Sequence, residues 1–385
     1  MRVFILAGEP SGDRLGGALM EGLRSLVPDI EFQGVGGVEM QAQGLSSNFP
    51  MEELSIMGLV EVLPKYRHLK RRIAETAQAV LDMKPDVLIT IDSPDFSLRV
   101  AKLVKQSSNI RTVHYVAPSV WAWRPKRAVK MAKVIDHVLA LLPFEPPYMT
   151  AQGMECDFVG HPVAGEVEAT SEDISAFRGK YDLGDAPYLL MLPGSRRGEV
   201  SRLLDVFLDT AERFVSEHPE HRIVLPVPAP VIPLVSDALK DRNLPITLLD
   251  PRENTGDEIA ADKRAAFAGA TVALAASGTV SLELAAAGTP MVIGYRLNWL
   301  TWQMAKVLVK LDTATLVNLV SGTRTVPEHL GPACTVDNLS ASLSAILGDP
   351  SAQNDAMLVT MERLGRGGEA PGLRAARAVL DGLQR

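Results

Sequence analysis

Two short loops in the second half of the chain combine residue types that suit a phosphate group. One reads Leu-Pro-Gly-Ser-Arg at 192–196, and the other reads Ala-Ser-Gly-Thr at 276–279. Each follows an apolar run and precedes an amphipathic stretch, so each is predicted to join a strand to a helix. A helix N-terminus presents unpaired N–H groups and the positive end of its dipole, which favour a bound anion. One such junction occurs in any α/β protein, but two in one sheet predict a nucleotide diphosphate site.

Charged side chains beside the loops support this interpretation. Arg196 can neutralise a diphosphate, and Glu283, one turn into the second helix, can accept hydrogen bonds from ribose hydroxyls. The predicted nucleotide-binding residues are Gly194, Ser195, Arg196, Ser277, Gly278, Thr279 and Glu283. The sequence contains no Asp-x-Asp and no His-Glu-x-x-His, so we expect no metal site and no cofactor. Arg196 and the helix dipoles would then stabilise the leaving group.

A pair of carboxylates follows a predicted buried strand in the first half of the chain. Asp92 and Asp95 flank Ser93 and Pro94, directly after the predicted strand 86–91. A carboxylate at the carboxyl end of a strand, in a dry cleft, is well placed to act as a general base. The alternative is that Asp92 simply caps the following helix. We predict Asp92 as the catalytic base, and Asp95 as a residue that caps the helix or orients the loop.

A loop rich in small residues follows the first strand. It reads Gly-Glu-Pro-Ser-Gly-Asp at 8–13, which is not the Gly-x-Gly-x-x-Gly pattern of dinucleotide-binding proteins, so a dehydrogenase is disfavoured. It can be a turn with a helix cap, or it can line a cleft with carboxylates available to a sugar. Under the second interpretation, the predicted sugar or acceptor contacts are Gly8, Glu9, Ser11, Gly12 and Asp13.

Alternating strands and helices must hold these loops in place. Two such series occur, and alternation of this kind predicts parallel sheets with ligands at the carboxyl ends of their strands. We expect a first Rossmann-like domain over 1–160, a second over 161–360, and a terminal helix over 371–385 that packs back on the first. The charged segment 250–264 is expected to form a solvated loop.

Composition excludes several classes of protein. At 385 residues the chain is long enough for two domains, and 46% hydrophobic residues suffice for two packed cores. A net charge of −7 argues against a nucleic-acid partner. Two cysteines fit a reducing compartment, and no apolar run is long enough to cross a bilayer. We therefore expect an intracellular protein that is soluble or peripheral to a membrane.

One segment of the first half suits a lipid surface. Residues 56–63 are almost wholly apolar, and residues 65–72 carry five Lys or Arg side chains. Apolar and cationic side chains together are typical of surfaces that bind anionic lipid, although a core helix followed by a solvated basic face would look similar. The predicted membrane or acyl-chain contacts are Ile56, Met57, Leu59, Val60, Val62, Leu63, Lys65, Arg67, Lys70, Arg71 and Arg72.

Several longer motifs resemble those of the lipid-A-disaccharide synthases, a family of GT-B glycosyltransferases. They include Ala-Gly-Glu-Pro-Ser-Gly-Asp at 7–13, Met-Gly-Leu-Val-Glu-Val at 57–62 and Ile-Asp-Ser-Pro-Asp-Phe at 91–96. Trp-Ala-Trp-Arg at 121–124 and the two loops described above continue the resemblance over nearly the whole chain. It implies a GT-B fold, in which two Rossmann-like domains face a cleft, and it adds Asn318 to the predicted nucleotide-binding residues.

The resemblance also implies a reaction and a location. The family joins UDP-2,3-diacylglucosamine to the 6-hydroxyl of 2,3-diacylglucosamine 1-phosphate, with inversion at the anomeric carbon, and releases UDP. This is a step of lipid A and lipopolysaccharide biosynthesis. The chain is accordingly expected in the cytoplasm, peripheral on the inner face of the inner membrane.

Two alternatives remain at this level. A UDP-sugar 2-epimerase-like enzyme shares the frame and the phosphate loops but has no need of the lipid-facing segment. A non-catalytic lipid-binding or partner-binding relative would keep that segment while its cleft decayed, which the presence of Asp92, Arg196 and Glu283 disfavours.

Overall fold

Two compact units make up the protein. The computed structural model describes residues 1–54, 59–122, 125–298, 302–303 and 311–384, with the backbone alone for 59–66. The first unit contains Met1–Gly165 and Leu364–Arg385, and the second contains Glu166–Arg363. Each unit is an α/β fold around one parallel sheet, so the predicted pair of Rossmann-like folds is confirmed.

A seven-stranded parallel sheet forms the core of the first unit. Its strands are β1 (Arg2–Ala7), β2 (Glu31–Val35), β3 (Ser46–Ser47), β4 (Val87–Ile91), β5 (Arg111–Tyr115), β6 (His137–Ala140) and β7 (Glu155–Phe158), in the spatial order β3-β2-β1-β4-β5-β6-β7. The central strands β1 and β4 are apolar runs buried on both faces. The strand order reverses between them, and in such sheets ligands bind beyond the strand ends at that point.

Helices cover this sheet. They are α1 (Pro10–Leu26), α2 (Val38–Ala42), α3 (Leu59–Met83), α4 (Pro94–Ser107), α5 (Lys126–Met131) and α6 (Pro146–Thr150), together with the C-terminal helix Pro371–Gln384. The C-terminal helix packs on α1, where a Cβ atom at Gly22 would lie only 2.7 Å from the carbonyl oxygen of Gly372. The two backbones can approach this closely because both positions are glycine. The buried Ala375 and Val379 of the same helix join the core of the first unit.

A six-stranded parallel sheet forms the core of the second unit. Its strands are β8 (Tyr188–Leu192), β9 (Arg222–Pro226), β10 (Ile246–Leu249), β11 (Val272–Ala276), β12 (Met291–Tyr295) and β13 (Glu328–Leu330), in the order β10-β9-β8-β11-β12-β13. The strand order reverses between β8 and β11. Leu192 pairs with Ala275, so the carboxyl ends of these two strands lie side by side.

The helices of the second unit are α7 (Ser171–Lys180), α8 (Arg197–Glu217), α9 (Ile232–Leu239), α10 (Gly256–Ala268), α11 (Val280–Ala286), α12 (Leu316–Ser321), α13 (Val336–Gly348) and α14 (Ser351–Arg363). The longest of them is α8, whose apolar residues recur every three or four positions and form a buried face. Val200, Leu203 and Phe207 on that face are fully buried against the sheet.

The expectation of a solvated loop over 250–264 is wrong, because α10 begins within it. Thr255 and Glu258 form a capping box, in which the backbone N–H of Thr255 donates to the Glu258 carboxylate over 2.8 Å. The acidic residues that suggested a loop lie in the first helical turn, where they complement the helix dipole. Ala265, Ala266 and Phe267 at the other end of the helix are buried.

Within the described part of the chain, no helix combines the length and the apolar character that a membrane span requires.

Candidate functional site

A pocket of about 520 Å³ opens at the carboxyl edge of the second sheet. Its wall includes the last residues of four neighbouring strands: Leu192 of β8, Pro226 of β9, Leu249 of β10 and Ala276 of β11. Both predicted phosphate loops contribute to the wall, through Gly194 and Ser195 and through Ser277, Gly278 and Thr279. The topology therefore brings the two loops to one cavity, at the point where the strand order reverses.

The loop after β8 is closed by a carboxylate that the sequence analysis did not identify. Gly194 has a φ of +116°, and a Cβ atom there would overlap the carboxylate of Glu199. The backbone N–H of Ser195 donates to Oε2 of the same carboxylate over 3.2 Å. Glu199 lies three residues after Arg196, the N-cap of α8, a spacing that could have revealed its role. The Glu199 carboxylate therefore accepts the hydrogen bond from the Ser195 N–H that a phosphate was expected to accept.

The carboxylate of Glu283 is also partnered inside the pocket. Its Oε2 atom lies 2.5 Å from Nζ of Lys263, and both residues belong to the pocket wall. Lys263 lies on α10, within the segment that sequence analysis treated as a loop, so its role was missed. The pair places a cation in the pocket wall next to the carboxylate predicted to bind ribose.

The far side of the pocket combines apolar residues with one polar cluster. Tyr181 donates its hydroxyl hydrogen to Asp262 over 2.8 Å, and Lys180 also contacts Asp262 at 2.8 Å. Burial raises the pKa of Tyr181, so its hydroxyl stays protonated at neutral pH and keeps this hydrogen bond to Asp262. The apolar residues of this side include Val227, Leu249, Ile259 and Phe267. This combination suits a flat heterocycle whose edge forms hydrogen bonds.

Two predicted nucleotide residues have environments different from those expected. Arg196 is exposed at the N-cap of α8 and is not among the residues that form the described pocket wall. Asn318 is 1% exposed, and its amide bonds to the backbone of Val326 and to the Glu328 carboxylate. Asn318 therefore supports the loop behind Ser277, whose hydroxyl donates to the carbonyl of Ala314 over 3.5 Å, rather than facing the pocket.

In the first unit, Asp92 follows β4 in a strained backbone conformation. Asp92 and Ser93 have φ values of +47° and +44°, and Val116, at the end of the adjacent β5, has +84°. Such values are costly for residues other than glycine and concentrate at functional sites. The carboxylate of Asp92 accepts no hydrogen bond from the described residues, and the N-cap of α4 is Ser93. Asp92 is thus not the helix cap that was its alternative role.

The loop after β1 packs directly against this turn. A Cβ atom at Gly8 would lie 2.6 Å from Oγ of Ser93, so Gly8 allows the two loops to touch. Gly8 and Gly12 are buried, Glu9 is half-buried and Ser11 is exposed. The start of this loop therefore contacts the turn that carries Asp92, at the switch point of the first sheet.

Asp13, the last residue of that loop sequence, is not available to a sugar. It is 4% exposed and accepts backbone N–H groups from Gly37, Glu39 and Met40 at 2.7, 2.9 and 3.1 Å. A carboxylate in this position neutralises the N-terminal end of α2 and anchors it to α1. The prediction that Asp13 contacts substrate is replaced by this structural role, which depends on residues more than twenty positions away.

The basic residues of α3 divide into two groups. Arg67, Lys70 and Arg71 are exposed, whereas Arg72 is bound to the carboxylate of Glu53 by two hydrogen bonds of 2.8 and 2.9 Å. Arg72 also lies 4.5 Å above the ring of Phe49. The hydrogen bond from Arg72 is the main cause that lowers the pKa of Glu53 to about 2. Arg72 therefore anchors α3 within the first unit.

The other predicted lipid contacts are described less completely. Ile56 and Met57 lie outside the described residues, as do Trp123 and Arg124 of the Trp-Ala-Trp-Arg motif. Leu59, Val60, Val62, Leu63 and Lys65 belong to α3, but their side chains are outside the described part of the structure.

Trp121 of the same motif is held by a buried acid. Its Nε1–H donates to Glu145 over 3.1 Å, and its ring packs edge-on against Phe144 at 5.1 Å. Glu145 is 3% exposed and also accepts the N–H of Leu142 over 3.0 Å. Burial raises the pKa of Glu145 to about 7. This carboxyl group positions the loop after β5, and the sequence analysis did not single it out.

Comparison with known proteins decides the family. A family model described as lipid-A-disaccharide synthetase matches residues 3–370. The chain belongs to the lipid-A-disaccharide synthase family. The synthase of Ruegeria pomeroyi is 69% identical over 383 residues, covering 100% of this chain and 96% of that protein. The synthase of Rhodospirillum centenum is 45% identical over 386 residues, covering 98% of this chain and 94% of that protein.

Membership of this family confirms the predicted activity class. The chain is a UDP-dependent glycosyltransferase of lipid A biosynthesis, acting on a UDP-sugar and a lipid acceptor. A solved UDP-GlcNAc 2-epimerase from Neisseria meningitidis, bound to UDP-GlcNAc, is similar in fold, with a TM-score of 0.65. It is 13% identical, with 100% of both chains covered, so the likeness concerns the fold alone. The epimerase-like alternative is therefore not supported.

Proposed function

We propose that the chain transfers the sugar of UDP-2,3-diacylglucosamine to the 6-hydroxyl of 2,3-diacylglucosamine 1-phosphate. The products are the β-1,6-linked disaccharide 1-phosphate and UDP. The observation that carries the nucleotide part is the pocket of the second unit, where both phosphate loops and Glu283 line one cavity. Inversion at the anomeric carbon needs a single displacement and no covalent sugar–enzyme adduct.

In this proposal the second unit binds UDP. The backbone N–H groups of Ser195 and of the 277–279 loop donate to the diphosphate, and Glu283 accepts the ribose hydroxyls. The uracil ring packs among the apolar residues opposite, near Tyr181. Arg196 stabilises the charge that develops on the leaving diphosphate. Arg196→Ala is expected to lose about 2–4 kcal/mol of transition-state stabilisation, measured as kcat/KM; wild-type kcat/KM in this variant would refute the role.

Two contacts of the pocket carboxylates change partners when the donor binds. The diphosphate competes with the Glu199 carboxylate for the N–H of Ser195. When Glu283 turns to the ribose, Lys263 is released from their 2.5 Å contact and its ammonium becomes available to a phosphate. This exchange supplies a cation at the nucleotide without a metal ion.

Asp92 acts as the base that takes the proton from the acceptor hydroxyl. Its carboxylate has no hydrogen-bond donor among the described residues, and its strained backbone turn follows the carboxyl end of β4. Glu9 and Ser11, on the loop that packs against it, bind hydroxyls of the acceptor sugar.

The test of this role is a conservative substitution. Asp92→Asn keeps the shape of the side chain but cannot accept the proton, so kcat should fall by about 10²–10⁴-fold while the dissociation constant of the donor changes little. Asp95→Asn, three residues away and exposed, is the matched control. If Asp95→Asn loses turnover and Asp92→Asn does not, the roles of the two residues are exchanged.

The exposed basic residues of α3 hold the enzyme on the inner face of the inner membrane, where both acylated substrates lie. Each Lys or Arg near an anionic surface contributes on the order of 1 kcal/mol. Changing Lys70 and Arg71 to Ser should weaken co-sedimentation with anionic vesicles and make it less dependent on salt. Arg72 is left unchanged, because its bonds to Glu53 stabilise the fold. Vesicle binding that the double change leaves intact would place the membrane surface elsewhere.

A product analysis tests the proposal as a whole. The protein is incubated with UDP-2,3-diacylglucosamine, with and without 2,3-diacylglucosamine 1-phosphate. Disaccharide and UDP that form only when the acceptor is present support the transferase. An epimerised donor in the absence of acceptor, or an unchanged donor in both samples, refutes it.

A further inference from the structure

One turn carries two histidines and a glutamate. It lies at the amino ends of the strands of the second sheet, whereas the nucleotide pocket lies at their carboxyl ends. The turn reads His-Pro-Glu-His at 218–221 and joins the end of α8 to the start of β9. A backbone hydrogen bond of 3.0 Å from the N–H of His221 to the carbonyl of His218 closes it. Within the described residues, this is the one set of three or more His, Cys, Asp or Glu side chains whose ligand atoms lie within 4.8 Å of one another.

The distances between these atoms suit one small ion. Oε1 of Glu220 lies 2.9 Å from Nδ1 of His221 and 4.0 Å from Nδ1 of His218. Ligand atoms around a four-coordinate zinc ion, each about 2.0–2.1 Å from the metal, are separated by roughly 3.3 Å. The observed distances lie on either side of that value, so the three atoms are close enough together to share one ion.

His221 supplies the second observation. The residue is 7% exposed, and both of its ring nitrogens are buried and make no hydrogen bond in the described part of the structure. The Glu220 oxygen is near Nδ1 but lies off the direction in which an N–H would donate. Buried polar atoms without a partner are rare in folded proteins, and a missing ion is one physical reason for them.

Aromatic packing leaves the two imidazoles little freedom. The ring of Phe214 lies 5.0 Å from that of His218 and 5.1 Å from that of His221, and the two imidazole rings are 5.6 Å apart. A site of this kind is preorganised, because few side-chain conformations are lost when the ion binds.

We propose that His218, Glu220 and His221 bind a zinc ion, with water as the fourth ligand. Two imidazole nitrogens and one carboxylate oxygen suit zinc, whereas magnesium and calcium prefer oxygen ligands alone. The ion would tie the end of α8 to the start of β9. The pocket is formed at the other end of β9, at Pro226, so the ion would stabilise the second unit without touching the nucleotide.

The test uses the full chain without a polyhistidine tag, since such a tag binds zinc itself. The protein is treated with EDTA, desalted and titrated with ZnCl₂ in a calorimeter, and its unfolding midpoint is measured with and without zinc. We expect one zinc ion per chain and a rise of about 5–10 °C in the midpoint at a free zinc concentration of about 100 times the dissociation constant. MgCl₂ at the same concentration should leave the midpoint unchanged.

Two variants remove ligands from the more exposed side of the site. His218→Ala and Glu220→Gln should each abolish the zinc-dependent rise while their zinc-free midpoints stay near that of the wild type. Glu217→Gln, an exposed neighbour outside the set, is the matched control and should keep the full rise. A wild-type chain that binds no zinc, or a full rise in both ligand variants, would overturn the proposal.

Discussion

Removing the charge of Glu199 is expected to strengthen the binding of UDP. In the free enzyme the Glu199 carboxylate accepts the N–H of Ser195 over 3.2 Å. A diphosphate oxygen that took over this N–H would lie about 4 Å from the carboxylate. Two unit charges at that distance repel each other by about 4 kcal/mol at an effective dielectric constant of 20 and by about 1 kcal/mol in bulk water.

The repulsion between Glu199 and the diphosphate is expected to be nearer the value in bulk water, about 1 kcal/mol, than the value of about 4 kcal/mol. Glu199 is half-buried at the pocket wall, so its carboxylate can rotate toward water when UDP arrives. Glu199→Gln keeps an oxygen that accepts the Ser195 N–H and removes the charge. We expect a gain of about 1–2 kcal/mol, which is about a 5- to 30-fold lower dissociation constant for UDP.

Isothermal titration calorimetry with UDP, UMP and uridine isolates the charge effect. The gain should be largest for UDP, smaller for UMP and absent for uridine, because uridine carries no phosphate. Glu212→Gln removes one charge from the same helix outside the pocket wall and should change none of the three affinities. Equal changes for UDP and uridine, or weaker UDP binding, would refute the repulsion. If UDP and uridine bound equally well to the wild type, the diphosphate site itself would be wrong.

Three further results are expected. Lys263→Met should weaken UDP binding by about 10-fold in calorimetry, because the diphosphate then loses the ammonium that Glu283 releases; an unchanged affinity would contradict this. Glu145 has a raised pKa of about 7, so its contribution to stability is complete below about pH 4.5 and is lost as the pH rises through 7. In urea unfolding, the free energy of unfolding of the wild type should therefore fall by on the order of 3 kcal/mol between pH 4.5 and 8, and that of Glu145→Gln should not. The same pH profile in both proteins would refute this role of Glu145. Arg72→Met should lower the unfolding midpoint while Arg67→Met leaves it unchanged, since of the two only Arg72 binds Glu53 in the described structure; equal midpoints would contradict the anchoring role.

The sequence determined the features that depend on neighbouring residues. The alternation of apolar runs with amphipathic stretches predicted two parallel sheets, because burial on both faces requires continuous apolar strands. The two small-residue loops were identified for the same reason, as each lies at the end of such a run and the start of a helix. The capping box of Thr255 and Glu258 was visible in the sequence too, although the surrounding charges were misinterpreted as a loop.

Only the tertiary structure decided which polar groups face a ligand. Asp13 was predicted from its loop and Asn318 from the family resemblance to contact a ligand. Both side chains are buried and form hydrogen bonds with backbone groups at other positions of their units. Glu199 and Lys263 were not predicted as site residues, yet both line the nucleotide pocket. The type of a polar residue does not reveal whether its side chain forms hydrogen bonds within the protein or with a substrate. What distinguishes the two cases is the direction of the side chain and the identity of its neighbours, and these are set by how strands and helices pack in three dimensions.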